Sequence, residues 1–208
     1  MANLLLKEWM VNRSTILLLF SLALVSFFLF EVQMPIYIAM LLGSFYPFMS
    51  GMTEYRNNNK VDTLMNSLPV KRRDIVASKY VFALLFGLGL VLTMIVLNLL
   101  LPSFEVSLLF ILPLSISVMG FSAAIYYPFF YLVGARVAMY VNLVIVFISS
   151  YIIQNADTLN LENSVLDPLE LIRNFSAEQL SFTLLGITIV VLLVSVFISG
   201  KIYRQKQF

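Results

Sequence analysis

Six stretches of this 208-residue chain run for 17 to 28 residues without a single charged side chain, near 14–30, 34–52, 80–101, 106–133, 137–153 and 180–199. A helix needs about 20 mostly apolar residues to cross the roughly 30 Å hydrocarbon layer of a bilayer, and core helices of soluble domains are seldom so uniformly apolar. Uninterrupted Leu, Ile, Val and Phe runs lack the alternation of a membrane barrel. The expected fold class is therefore all-α, a polytopic membrane protein with six transmembrane helices forming a single domain over residues 1–208.

Orientation follows from the cations, which resist translocation. With the N-terminus inside, twelve of the thirteen Lys and Arg fall on the cytosolic side and Arg173 alone falls outside. Seven of the eleven acidic residues lie on the other side. Both termini are expected in the cytosol, and the formal net charge of +2 reads as a topology signal. Nucleic acid is not an expected partner, because no basic stripe is interleaved with exposed aromatics. The first apolar run has no small-residue cleavage site and leads at once into another span, so no cleavable signal peptide is expected.

Four features frame the spans. Residues 1–13, with Leu4, Leu5, Lys7, Glu8, Trp9 and Arg13, read as an interfacial helix with a tryptophan at headgroup level. Gly43, Ser44, Pro47, Ser50 and Gly51 in the second span read as helix-packing residues. Span four is overlong and carries Pro113 and Pro128 as places to bend. Its aromatic cluster, Tyr126 to Tyr131, reads most simply as an interfacial belt. Residues 154–179 form an external segment with a helix start at Asp167-Pro168, and Asn174-Phe175-Ser176 is a weak glycosylation match.

Reactive chemistry is missing from the sequence. Without His or Cys there is no Ser–His pair, thiol nucleophile, disulfide or zinc site of the usual kinds. No Gly-rich phosphate loop is present. The expectation is a non-enzyme with no cofactor, no metal and no catalytic residue. The span centres carry almost no ionisable groups, which disfavours ion-coupled transport. Asn98 and Asn142 are their conspicuous polar residues and read as interhelical hydrogen-bonding groups.

The cytosolic stretch 53–79 is the most specific piece. Val61, Leu64, Met65 and Leu68 recur at i, i+3, i+4 and i+7 and so share one helical face, followed by Pro69 and the cluster Lys71, Arg72 and Arg73. Such a face calls for a protein partner, or for a lipid surface. The cations suit anionic headgroups at about 1 kcal/mol each.

With its six spans, N-terminal interfacial helix, cytosolic helix between spans two and three and long external segment between spans five and six, the chain resembles the membrane subunits of type-2 ABC exporters. Locally, Asn66-Ser67-Leu68-Pro69-Val70-Lys71-Arg72-Arg73-Asp74-Ile75-Val76-Ala77-Ser78-Lys79-Tyr80 is similar to a signature of small bacterial permeases in that family. The resemblance implies a coupling helix that docks Val61, Asp62, Leu64, Met65 and Leu68 on a separate ATP-binding cassette ATPase. It assigns support of that loop to Glu54, Arg56, Lys71, Arg72 and Arg73. It further implies a second permease subunit, identical or paralogous, in a bacterial cytoplasmic membrane. Similar small permeases include the phenol-soluble modulin exporters of staphylococci and bacteriocin or lantibiotic self-protection exporters, which implies an amphipathic peptide cargo, a toxin or antimicrobial, although another hydrophobic compound would suit the apolar bundle equally. The alternative is a non-transporting membrane sensor or scaffold that recruits a cytosolic partner through 61–68.

Overall fold

The computed structural model describes residues 2–30, 34–56, 72–99, 107–134, 137–138, 140, 144 and 176–205. Their regular elements are all helices: α1 (Ala2–Val11), α2 (Arg13–Leu29), α3 (Met34–Arg56), α4 (Arg72–Leu99), α5 (Leu108–Val133) and α6 (Ala177–Gln205). Four of them, α3 to α6, are individually long and apolar enough to cross a membrane. The pair α1 and α2 meets that test only jointly, and it is bent by 71°. The expected fifth span, 137–153, and the external segment 154–179 lie almost wholly outside the described residues.

Inside lipid every backbone polar group needs a partner within the protein, which is why these runs are helical. What holds the helices together is then shape and hydrogen bonding, since lipid tails are as apolar as leucine. α3 crosses α4 where two glycines face each other: a Cβ on Gly43 would stand 3.0 Å from the Gly87 Cα and 2.6 Å from Met119 Cε. Gly51 similarly makes room for the Tyr126 hydroxyl. The packing expected of Gly43 and Gly51 is thus present. Ser50 spends its hydroxyl on the Pro47 carbonyl at 2.8 Å.

α5 runs unbroken through both of its prolines. Pro128 has no N–H to give the carbonyl four residues earlier, and that carbonyl, Ala124 O, instead accepts a hydrogen bond from Ser195 Oγ of α6 at 2.6 Å. The single Ser195 proton is committed there, so the Tyr80 hydroxyl donates to Ser195 Oγ at 2.7 Å and Ser199 donates to Tyr80 at 2.8 Å. A missing backbone donor in α5 is in this way the origin of a polar tie among three helices.

α5 and α6 form the most extensive helix pair, and they run parallel. Ser107 at the head of α5 bonds Glu178 at the head of α6, and Tyr131 meets Tyr203 near their other ends, ring centroids 5.3 Å apart. α4 lies antiparallel to both, through Tyr127 Oη to Lys79 O at 3.2 Å and the Tyr80 bonds. Thr15 and Thr53 hydroxyls, 3.0 Å apart, show α2 antiparallel to α3. The start of α2 and the ends of α3 and α6 therefore share one end of the bundle with the start of α4. Lys7, Arg13, Arg72, Arg73, Lys79, Lys201 and Arg204 gather there.

Three details differ from the sequence expectation. α4 begins at Arg72, about two turns before the expected span. The aromatic cluster of α5 is not a lipid-facing belt: Tyr126, Tyr127 and Tyr131 are buried, and only Phe129 of the group is substantially exposed. Asn98 bonds the Met94 carbonyl of its own helix at 2.8 Å, and its interhelical bond is not made among the described residues.

Candidate functional site

α1 and the residue that follows it turn Glu8 and Asn12 inward. Leu4, Glu8 and Asn12, spaced by four, are all buried, whereas Leu6, Trp9 and Met10 are about half exposed or more. In water this arrangement would be inverted; beside lipid it is favourable, because the protein interior is the only place for the charge. Asn12 marks the bend into α2, and its side-chain amide donates to Glu8 O and to Glu8 Oε2, each at 3.2 Å.

From Glu8 a chain of charges crosses the basic end of the bundle. Glu8 Oε1 accepts from Lys7 Nζ at 2.8 Å. Lys7 Nζ lies 3.7 Å from Glu54 Oε1 of α3, an ion pair without a hydrogen bond. Glu54 Oε2 accepts from Lys79 Nζ of α4. Lys79 Nζ also stands 4.7 Å from the Phe130 ring centre and 5.6 Å from that of Tyr131 on α5, close enough for cation–π attraction. Two cations and two carboxylates thus balance. Burial of such a group is tolerable only with its partners in place.

The chain of charges joins α1, α3, α4 and α5 where α3 ends and α4 begins. Glu54 is two residues from the end of α3, and Lys79 lies seven residues into α4. Their ion pair clamps the end of α3 to the start of α4.

Of the residues singled out from sequence, Glu54 is thus buried and paired inward. Arg72 donates from Nη1 to the Arg204 carbonyl at 3.1 Å, tying the start of α4 to the end of α6. Arg73 lines a groove between the same two helices. Arg56 closes α3, with its side chain outside the described set, as are Val61, Asp62, Leu64, Met65, Leu68 and Lys71. Sequence reasoning missed Lys7, Glu8, Asn12 and Lys79 as a group. The Glu8–Asn12 spacing was the available signal, whereas nothing local separates Lys79 from the three cations before it.

A second feature is a groove of about 460 Å³ among α3, α5 and α6, walled by Phe45, Phe48, Leu114, Phe121 and Ile125. Four hydroxyls also line it, from Ser44, Ser117, Ser122 and Thr188. Each donates to a carbonyl of its own helix, at 2.7 to 2.9 Å. With their protons committed, the wall is largely apolar and offers little to coordinate an ion. Among the described residues no group of His, Cys, Asp or Glu could hold a metal.

Comparison with known proteins adds one match: a family described as ABC-2 family transporter protein matches residues 3–204. No curated protein and no solved structure matches the chain. With nearly the whole length covered, from α1 to the end of α6, the chain belongs to the ABC-2 transporter family, whose members are membrane subunits of ABC transporters and are not themselves catalytic.

Proposed function

We propose that the protein is the permease subunit of an ATP-driven exporter in a bacterial cytoplasmic membrane, moving an amphipathic peptide or another hydrophobic compound outward. It pairs with a second permease, identical or paralogous, and takes its energy from a separate cytosolic ATPase. The family implies the ATPase and usually the paired permease. Two observations support a reading with six spans: α5 and α6 run parallel, and the sequence between Val133 and Ala177 contains the long uncharged run 137–153. The basic end of the bundle is then cytosolic, with both termini on that side.

The observation that carries this reading is the Glu54–Lys79 clamp. In the proposal the 61–68 helix docks on the ATPase through Val61, Leu64, Met65 and Leu68, with Asp62 at its edge. A docked helix moves the bundle only if its tethers do not stretch. Glu54 and Lys79 fix both tethers to each other, and Lys7 and Glu8 fix them to α1, so displacement at the ATPase passes into α3, α4 and α5 together. The apolar groove among α3, α5 and α6 suits a hydrophobic cargo better than an ion.

The test is affinity purification of the tagged permease from its native membrane, with the ATPase assayed in the eluate. A stoichiometric ATPase that is lost on Leu64→Asp or Met65→Asp, while the permease still inserts, is the expected result. Co-purification unchanged by both substitutions would end the coupling assignment.

A further inference from the structure

Beside the bonds that join α4 to α6 at the basic end lies an apolar groove of about 580 Å³, floored by Ala77, Val81, Leu84, Leu193, Val196 and Gly200. At its mouth the groove adjoins a second cavity of about 440 Å³ lined by Arg73, Phe197, Lys201, Arg204 and Gln205. Arg73 and Phe197 line both, so the two spaces adjoin.

Polarity divides between the two adjoining spaces. Three cations, Arg73, Lys201 and Arg204, surround the mouth. Among the described residues none of the three makes an ion pair. Asp74 lines the groove as well, which leaves an excess of two positive charges. Below the mouth the lining is aliphatic, apart from Tyr80, whose hydroxyl is committed to Ser195 and Ser199. From Arg73 to Leu84 the helix rises about 17 Å, close to the depth of one hydrocarbon leaflet, about 15 Å.

We propose that this groove is a binding site for an anionic glycerophospholipid of the leaflet at the basic end. The phosphate sits among Arg73, Lys201 and Arg204, and an acyl chain lies along Ala77, Val81, Leu84 and Leu193. Both parts are needed: a free phosphate would use the mouth and leave the groove unfilled, and a zwitterionic lipid would fill the groove and gain little at the mouth. Basic pockets between transmembrane helices on the cytoplasmic side hold anionic headgroups by the same physics. The site does not depend on what the protein transports. It ties the start of α4 to the end of α6 through a lipid as well as through the Arg72 bond to Arg204.

Native mass spectrometry of the full-length protein in detergent, titrated with phosphatidylglycerol or phosphatidylcholine of matched chains, tests this. The wild type should retain one phosphatidylglycerol per chain, at least tenfold more tightly than phosphatidylcholine. Combined Arg73→Gln, Lys201→Gln and Arg204→Gln should weaken phosphatidylglycerol about a hundredfold and leave phosphatidylcholine unchanged. Leu193→Trp, which fills the groove, should weaken both lipids. Glycerol phosphate, the headgroup without chains, should not displace the lipid. On unsubstituted protein, a phosphatidylglycerol with a photoreactive acyl chain should cross-link to peptides of α4 and α6, which keeps the test independent of variant folding. Equal retention of the two lipids, full displacement by glycerol phosphate, cross-links confined to other helices, or a change of oligomeric mass on Leu193→Trp with lipid retention intact would each overturn the proposal. The last would make the groove a contact between subunits.

Discussion

The two halves of the bundle core are built from different materials. The cluster at the basic end holds six tyrosines, Tyr46, Tyr80, Tyr126, Tyr127, Tyr131 and Tyr203. The other holds no tyrosine and three methionines, Met40, Met94 and Met119. In the first, rings meet rings, Tyr80 on Tyr127 at 4.6 Å and Tyr46 on Phe86 at 4.8 Å, and the Glu54–Lys79 pair lies against Phe130. In the second, flexible thioether chains fill the space between glycines, Met119 against Gly43 and Gly87. Rigid rings and paired charges specify one geometry, whereas methionine adapts to several. Under the proposed function, in which the drive arrives at one end and the helices rearrange farther along, that division is an advantage.

Breaking the charge pair tests the division most severely. Lys79→Ala leaves Glu54 buried without its closest partner and should cost about 3–5 kcal/mol, read as a fall in folded yield and melting temperature in detergent. The double variant Glu54→Gln with Lys79→Met should recover most of that loss, because replacing both members of a buried pair is often nearly neutral. Transport should remain impaired in the recovered protein if the clamp carries force. Full transport there would reduce the clamp to a folding element.

A glycine comparison sharpens the contrast at smaller energy. A Cβ on Gly51 meets the Tyr126 hydroxyl and, at 3.0 Å, its Cζ, with Phe130 at 3.2 Å, whereas the three atoms nearest to a Cβ on Gly87 all belong to the Met119 side chain. Overpacking costs about 1–3 kcal/mol. Gly51→Ala should lie at the upper end and Gly87→Ala well below it, since Met119 can turn away. Gly186→Ala, with nothing within 4 Å, is the neutral control. Equal melting-temperature losses at Gly51 and Gly87 would contradict the rigid and adaptable assignment.

The smallest effect is expected at the polar tie. Tyr80→Phe removes two hydrogen bonds but keeps the ring, and interhelical hydrogen bonds in membranes average about 0.6 kcal/mol. A loss near 1 kcal/mol is expected, again from thermal unfolding. Pro128→Ala should make the protein less sensitive to the loss of Ser195, because the substitution restores a backbone N–H at that position, which can supply Ala124 O. Unchanged sensitivity to Ser195→Ala in that background would refute the proposed origin of the tie.

What the sequence determined by itself is what the bilayer demands locally. Long uncharged runs have to be helices because no other conformation satisfies their backbone in lipid, and α3, α4, α5 and α6 fall on four of the six runs read from composition. The motif from Asn66 to Tyr80 pointed to the family that the full-length match now shows. Tertiary structure alone decided which of the flanking charges are solvated and which are partnered inside. Glu54 and Lys79 are 25 residues apart and sit beyond the apolar runs, and neither the Lys79-containing motif nor the supporting role implied for Glu54 pairs them; they meet because Gly43, Gly51 and Gly87 let α3, α4 and α5 approach closely. The lipid groove has the same cause. Arg73 and Arg204 are separated by most of the chain, and only the antiparallel packing of α4 on α6 brings their charges to one mouth.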